Sequence, residues 1–310
     1  MKRIVLLSSL VLWLAPMGML HANTIDLFKK RRVKSAGGSQ FTGTTRLSTI
    51  YTSWEIGILG GESHYYGDLS NGIFQSKNLH KDYGAFVRYQ RGRNWAYKFM
   101  INKGFLSGTD ALNKPKLVPR NLNFTSDLYE GALTFEYMYP EFTACRQFNW
   151  APYLTAGIAV FHFRPMNKFG DLHSLSTEGQ GLAAYPDRRP YFLTQISIPF
   201  GVGIKFIPAK RIIIGAEIVM RKTFTDYIDD VSKRYADPRI LLEEKGAIAV
   251  AASYPGHYRY KNNDPTNKTR GNPKFKDVYM TSVLTISYCL WYDCMSEKHR
   301  YNDVGGCKTF

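Results

Sequence analysis

The sequence predicts an all-β fold, an eight-stranded antiparallel outer-membrane β-barrel with short periplasmic turns and long extracellular loops. Three observations predict it: an export signal at the start, side chains that alternate between apolar and polar, and connections that alternate in length. Composition agrees, because 15% of the 310 residues are aromatic and 26 are glycine. With 44% hydrophobic and 21% charged residues, the chain can bury a core and is not a disordered type.

Residues 1–22 have the layout of a secretory signal peptide. Lys2 and Arg3 precede an apolar run from Ile4 to Leu14, and the small residue Ala22 precedes a polar sequence. The alternative is a single membrane anchor, for which the apolar run is short. We therefore expect an exported protein.

The sequence predicts that residues 23–46 form a basic, flexible periplasmic arm. The formal net charge of the whole chain is +16. The cations of the arm are Lys29, Lys30, Arg31, Arg32 and Lys34. In a cytosolic protein this run would indicate nucleic-acid binding, but export leaves lipid head groups, lipopolysaccharide phosphates or an acidic partner protein. We expect no nucleic-acid partner. A solvated arm without a partner is the alternative.

Period-two alternation recurs from residue 47 to residue 291, the range expected to form the barrel. The candidate strands are residues 48–61, 82–91, 94–105, 125–139, 151–163, 191–206, 210–223 and 276–291. The sixth is the clearest, because Ile198, Phe200 and Val202 alternate with Pro199 and Gly201. In the seventh, Ile213 and Val219 break the pattern. The fifth and eighth alternate too weakly for their faces to be assigned.

The connections are short on one side and long on the other. Gly92 and Arg93 join strands two and three, and residues 207–210 are predicted to form a turn in which Pro208 fixes φ. A loop of more than fifty residues, 224–275, precedes the last strand. A membrane tolerates strands only when the sheet closes, because an open edge would leave backbone groups unpaired in hydrocarbon.

Alternation alone does not show which face of each strand contacts water, so a soluble sandwich or lipocalin-like barrel is the competing fold. Aromatic residues cluster near predicted strand ends, as interfacial girdles require. The polar faces mix both signs of charge, which favours a closed lumen where opposite charges neutralise one another. The predicted lumen charge network is Glu55, Arg88, Lys98, Glu130, Glu136, Lys205, Glu217 and Arg221.

Eight strands enclose just enough space for side chains, so we expect a filled lumen and no general pore. An enzyme is the alternative, with His64, His162 or His173 beside the aspartates at 226, 229 and 230. However, the sequence has no GxSxG elbow and no HExxH motif. The aspartates could instead capture Ca²⁺, or form an ordered loop corner. We expect no catalytic residues, no cofactor and no resident metal.

The four cysteines are Cys145, Cys289, Cys294 and Cys307. If the N-terminus is periplasmic, all four face that oxidising compartment, where disulfides form. Three pairings are available. We expect at least one bridge that ties the tail, residues 292–310, to the 140–150 turn or to itself. The alternative is that one or more of the cysteines remain free or acquire lipid.

Several stretches of the chain carry a resemblance to a known family: Tyr66–Leu69, Arg120–Glu130, Ser176–Gly181, Ser197–Gly203, Arg221–Ser232 and Arg270–Pro273. Together they resemble the PorG family, outer-membrane barrels of the type IX secretion system of Bacteroidetes. The Arg221–Ser232 block is the most specific and contains Arg221, Lys222, Asp226, Asp229 and Asp230.

The resemblance implies a non-enzymatic component of protein secretion. Its expected partners are a periplasmic ring lipoprotein and a ring subunit, which the barrel would link to the outer membrane. Both termini would be periplasmic, and outer-membrane lipid and lipopolysaccharide would surround the barrel. Lys261, Lys268 and Arg270, in the longest loop, would meet lipopolysaccharide phosphates. The alternatives are a surface adhesin or lipopolysaccharide-binding barrel, and a barrel enzyme.

Overall fold

The computed structural model describes residues 51–70, 72, 80–143, 149–256 and 266–292. It confirms the predicted eight-stranded antiparallel β-barrel. The strands are β1 Thr52–Tyr66, β2 His80–Arg91, β3 Trp95–Thr109, β4 Asn123–Met138, β5 Trp150–Asn167, β6 Thr194–Ala209, β7 Ile212–Thr223 and β8 Val278–Tyr292. A two-residue strand, Gly170–Asp171, pairs with the end of β5.

The sheet closes on itself because the last strand pairs with the first. The β1–β8 register runs from Ser53 opposite Tyr292 to Tyr66 opposite Val278. Every other strand pairs with its neighbours in sequence, including β4 with β5. No long strand edge is left unpaired, which is the condition for a sheet surrounded by hydrocarbon.

One end of the barrel carries the short turns. Gly92 has φ +72° in the β2–β3 turn, and Arg211 has φ +69° in the β6–β7 turn. The prediction of a 207–210 turn was wrong, since β6 continues to Ala209 and the register shifts between Phe206 and Ala209. Pro208 therefore lies in a bulge of β6, where a missing N–H costs no ladder bond.

The barrel is apolar outside and polar inside. Phe200 and Ile214 are exposed on the outer wall, whereas Arg88 is only 1% exposed. The two exceptions to alternation in β7, Ile213 and Val219, point inward and fill the lumen. Both unassigned strands follow the same rule, with Leu154, Ile158 and Val160 exposed on β5 and Leu284, Ile286 and Tyr288 exposed on β8.

The long connections fold into a cap at the other end. In the described part of the cap there are three α-helices, α1 Leu172–Leu175, α2 Pro238–Lys245 and α3 Ala247–Ser253, and two 3-10 helices, Asp110–Leu112 and Val118–Arg120. Asp237 caps α2 by accepting from the Arg239 N–H, and Gly246 ends it with φ +85°. No helix within the described ranges is long and apolar enough to cross a membrane.

Several predicted features fall outside the described residues. They are the signal peptide at 1–22, the arm at 23–46 with Lys29, Lys30, Arg31, Arg32 and Lys34, the cysteines Cys145, Cys294 and Cys307, the loop residue Lys261, and the tail beyond β8. Strand β8 itself runs to Tyr292, one residue into the predicted tail.

Candidate functional site

The lumen is filled by two groups of charged side chains. The structure places all eight residues of the predicted network inside the barrel, each with at most 4% of its surface exposed. Six of them form one ion cluster nearer the short turns. The other two, Glu130 and Arg221, form a pair nearer the loop cap.

Arg88 is the centre of the larger cluster. Its guanidinium lies 2.7 Å from the Glu55 carboxylate, 3.1 Å from that of Glu136 and 3.4 Å from that of Glu217. The face of the Phe86 ring lies 4.8 Å from the guanidinium carbon. One cation thus joins carboxylates from three other strands, which suits the planar, five-donor geometry of arginine.

Two lysines complete the cluster. Lys98 lies 2.6 Å from Glu217, and Lys205 lies 2.7 Å from Glu136. Lys98 faces Arg88 directly in the β2–β3 register, and Glu217, which accepts from both cations, offsets their repulsion. Three carboxylates and three cations leave the cluster with no net formal charge, as a buried ion cluster requires.

The second group lies one layer closer to the loops. Arg221 Nη2 donates to Glu130 at 2.9 Å, and the Tyr279 hydroxyl donates to the same carboxylate. Beside them, Asn102 donates to Asp82 at 3.1 Å. The sequence placed Asn102 on the polar face of its strand with Lys98, whereas it missed Asp82, although Asp82 shares the strand parity of Arg88. Tyr279 was also missed, because its strand carries no charged residue that would mark the lumen face.

Apolar layers separate and seal these polar groups. One cluster closes the short-turn end: Ala96, Met138, Phe142, Ala151, Tyr153, Ile207, Ile213 and Cys289. A second lies between the polar layers: Leu59, Phe86, Met100, Ala132, Ala159 and Val283. The largest lies beneath the loop cap and includes Tyr65, Phe124, Phe161 and Phe163. The lumen is therefore a packed core and not a channel.

The loop cap is held by a buried carboxylate, Glu178. It accepts from the backbone N–H groups of Ser232 and Lys233, at 2.9 and 3.0 Å, and from Arg270 at 3.1 Å. Arg270 also donates to the Asp230 backbone oxygen. These bonds tie the loop between β5 and β6 to both ends of the loop between β7 and β8.

The expectation that Arg270 meets lipopolysaccharide phosphates was wrong, because the side chain is buried. Its guanidinium lies against Glu178 and Asp230, which satisfy its charge inside the cap. Burial of one cation between two carboxylates leaves it no access to an external phosphate.

Tyr65 lies between two buried carboxyl groups. Its hydroxyl is 2.6 Å from Asp229 and 2.9 Å from Asp277. A hydroxyl donates one proton, so one of the two carboxyls must itself be protonated to complete both bonds. Burial, together with the repulsion between the two groups, raises the pKa of Asp229 and Asp277 well above the ordinary range.

The residues of the Arg221–Ser232 block are divided between lumen, wall and cap. Arg221 is in the lumen, and Lys222 is exposed on the outer wall. Asp226, Asp229 and Asp230 are buried in the cap, in the ordered loop corner that the sequence left as one alternative. Thr177 and Tyr191 both donate to Asp230.

Two of the three histidines considered as enzyme residues form hydrogen bonds with groups other than the aspartates at 226, 229 and 230. His162 lies on the outer wall, 3.0 Å from Thr194, and His173 bonds the Tyr191 carbonyl oxygen at 2.9 Å. His64 is a buried residue of β1. Within the described part of the chain, no three His, Cys, Asp or Glu side chains form a group that could hold a metal ion.

Cys289 is a free, buried thiol. The expected disulfide therefore does not include it, because its side chain points into the lumen and belongs to the apolar cluster at the short-turn end. The pairing of the other three cysteines lies outside the described residues.

Raising the pH from about 6 to about 8 is expected to loosen the loop cap. Burial raises the pKa of Asp226 and of Asp230 to about 7, against 3.8 ordinarily. A folded-state pKa above the unfolded value gives stability that is complete at low pH and is lost as pH rises through about 7. Asp230 alone should contribute a loss of roughly 1 kcal/mol over this range. Hydrogen exchange of the backbone amides of residues 224–235, corrected for the intrinsic exchange rate at each pH, measures this loss of cap stability.

Asp226→Asn is the matched variant for this prediction, because an amide resembles the protonated carboxyl and Asp226 Oδ2 has no hydrogen-bond partner. The variant should show a weaker dependence of exchange on pH than the parent. Greater protection at about pH 8 than at about pH 6 would contradict the assignment.

A profile of the family described as "Domain of unknown function (DUF6089)" matches residues 44–241 of the chain. That range includes β1 to β7 and α1, and reaches into α2. No curated protein matches the chain significantly.

Solved structures of small outer-membrane barrels are similar in fold. Ail of Yersinia pestis, in complex with the heparin analogue sucrose octasulfate, is 10% identical with a TM-score of 0.35, and covers 77% of this chain and 97% of its own. Neisserial surface protein A is 8% identical with a TM-score of 0.36 and coverages of 76% and 97%. The N-terminal barrel domain of Pseudomonas aeruginosa OprF is 8% identical with a TM-score of 0.33 and the same coverages. At these identities the likeness concerns the fold alone.

Proposed function

The chain belongs to the DUF6089 family, and from that premise we propose that it is a non-enzymatic outer-membrane component of a type IX protein secretion machine. In this role the barrel links the periplasmic ring, built from a lipoprotein and a second subunit, to the outer membrane. The short turns and both termini face the periplasm, and the loop cap faces outward.

The exterior of the barrel supports the membrane part of the proposal. Isoleucine, leucine, valine and phenylalanine side chains cover the outer wall on all eight strands, while the buried ion cluster lies inside. Four tryptophans, Trp54, Trp95, Trp150 and Trp291, lie exposed at the short-turn end. An aromatic belt at the edge of an apolar band is typical of the membrane interface.

The filled lumen is the observation that carries the anchoring role. Arg88 and its carboxylate partners occupy the barrel centre, and apolar layers lie on both sides of them. Conduction would require separating buried ion pairs, which is costly in a low-dielectric interior. A barrel without a pore, in an exported chain that resembles PorG, is suited to hold a machine in place and not to conduct its cargo.

The short-turn face supplies a basic rim for docking. Arg91, Lys210 and Arg211 are exposed there, and Arg93 pairs with Glu141 at 2.9 Å. With the basic arm at residues 23–46, this rim would attract an acidic ring surface or phospholipid head groups.

Co-purification from detergent tests the proposal. The full-length barrel, tagged in its loop cap, is expected to recover the ring lipoprotein and ring subunit from crosslinked outer membranes. Deletion of residues 24–40 should reduce that recovery at low ionic strength, because it removes the cationic arm that speeds docking. Heat-dependent mobility on gels shows that the deleted form still folds.

Recovery of only lipid or a host ligand, with secretion unchanged when the gene is deleted, would contradict the secretion role. That result would favour the surface adhesin or lipopolysaccharide-binding barrel instead. Unchanged ring recovery after deletion of residues 24–40 would remove the arm from the docking surface and leave the short-turn rim.

A further inference from the structure

A groove crosses the outer wall where the apolar band meets the loop cap. Its volume is about 940 Å³, and it extends over β1 to β5 and ends at Thr194 of β6. Ile58, Ile101 and Val160 form its side toward the short turns. The small residues Ala85 and Gly131 form the floor of the groove. The space above Gly131 is open, since a Cβ added there would meet nothing within 4 Å.

The side of the groove toward the cap carries a lysine among aromatic rings. Lys103 Nζ lies 4.9 Å from the centre of the Tyr129 ring and 5.1 Å from that of Phe105. In the strand register, Lys103 stands opposite Tyr83 on one side and Tyr129 on the other. Among the described residues it forms no ion pair.

The carboxylates nearest the groove already face cations. In the next layer of outward-facing residues toward the cap, Asp127 stands opposite Arg164, and Glu62 stands opposite Lys81. Arg164 also pairs with Asp171 at 2.9 Å. Lys103 therefore has no carboxylate opposite it in the register, and among the cations that line the groove it is the one that can accept an external anion.

His162 adds a second donor to the same side. Its Nδ1 lies 3.0 Å from the Thr194 hydroxyl, and its Nε2 bonds nothing among the described residues. A lysine turned toward lipid has its largest cost at the bilayer midplane and a much smaller cost near the interface. An anionic head group at Lys103 would offset that cost with a charge-assisted hydrogen bond.

We propose that this groove binds a phosphorylated lipid of the leaflet on the loop side, with an acyl chain over Gly131 and Ala85 and a head-group phosphate at Lys103 and His162. The apolar floor fits the acyl chain. Lys103, which forms no ion pair among the described residues, and His162 stand on either side of Tyr129 in the register and together fit the phosphate. This inference rests on the proposed membrane location and is independent of the secretion role.

Native mass spectrometry of the folded full-length barrel in detergent tests the site. Lipid A with its phosphate is expected to bind about tenfold more tightly than dephosphorylated lipid A, because only the former engages Lys103. Lys103→Gln should abolish that preference. Lys222→Gln, at an exposed wall lysine on β7 that does not line the groove, should preserve it.

The substitution Gly131→Leu tests the binding of the acyl chain separately from the binding of the phosphate. A Cβ at this position meets nothing within 4 Å, so the leucine side chain should occupy the groove and both lipids should bind more weakly. Ala156→Leu, on the same wall outside the groove, should change the binding of neither lipid. Equal binding of the two lipids to the parent, or a preference retained by Lys103→Gln, would overturn the proposal. Competition by glucose 1-phosphate alone would also overturn it, by assigning the site to a free phosphate. Heat-dependent mobility on gels verifies that each variant is folded. Co-purification of the periplasmic ring tests the secretion role separately.

Discussion

Replacing Arg88 with methionine is expected to destabilise the barrel by about 3–5 kcal/mol. Arg88 contacts three buried carboxylates, Glu55, Glu136 and Glu217, and all four side chains are almost fully inaccessible to solvent. Without the guanidinium, three carboxylates share the lumen with only Lys98 and Lys205, so one buried negative charge is uncompensated. Urea unfolding in lipid vesicles, followed by tryptophan fluorescence, measures the loss.

A second substitution tests whether charge balance is the cause. In the double variant Arg88→Met with Glu55→Gln, the remaining two carboxylates face two lysines, so part of the lost stability should return. Lys222→Met on the outer wall removes a positive charge from an exposed site and should cost much less. A double variant no more stable than Arg88→Met would contradict charge compensation and assign the loss to packing alone.

Leu133→Lys is expected to cost about 2–4 kcal/mol when the barrel is in a bilayer. Leu133 is 50% exposed on β4, between Phe99 and Ile158 in the register, and therefore lies within the apolar band. The substitution removes no buried contact of the lumen, so the cost would come from placing an ammonium group against acyl chains. Vesicle unfolding measures it.

Leu242→Lys is the matched control, because Leu242 is 54% exposed on α2 in the loop cap. The same change at a water-facing site should alter stability by no more than about 0.5 kcal/mol. Equal effects of the two substitutions would mean that the wall of the barrel faces water, and the competing soluble fold would then regain support.

The barrel was predictable from sequence because side-chain alternation has a strict period of two. Ile198, Phe200 and Val202 could be assigned to one face without any tertiary information. The faces of β5 could not be assigned, because its lumen side carries Ala151, Ala159 and two phenylalanines and is nearly as apolar as its wall side. These residues belong to the three apolar clusters of the lumen, and sequence periodicity carries no information about that packing.

The lumen charges were predictable for the same reason, since each lies on the polar face of a strand. The loop cap was not. Glu178 and Arg270 are 92 residues apart, and Tyr65 and Asp277 are 212 apart. Such contacts depend on how long loops fold over the barrel end. Arg270 therefore resembled an exposed loop cation in sequence, although it is buried beside two carboxylates.

The central claim is that the apolar wall contacts acyl chains while the charged cluster lies inside the barrel. Trp54, Trp95, Trp150 and Trp291, all exposed on the wall at the short-turn end, report on it without any mutation. In vesicles of brominated phospholipid, we predict strong quenching of their fluorescence, greatest when bromine lies near the head group, and little quenching by aqueous iodide. Full access to iodide with no quenching by bromine at any depth would contradict the claim.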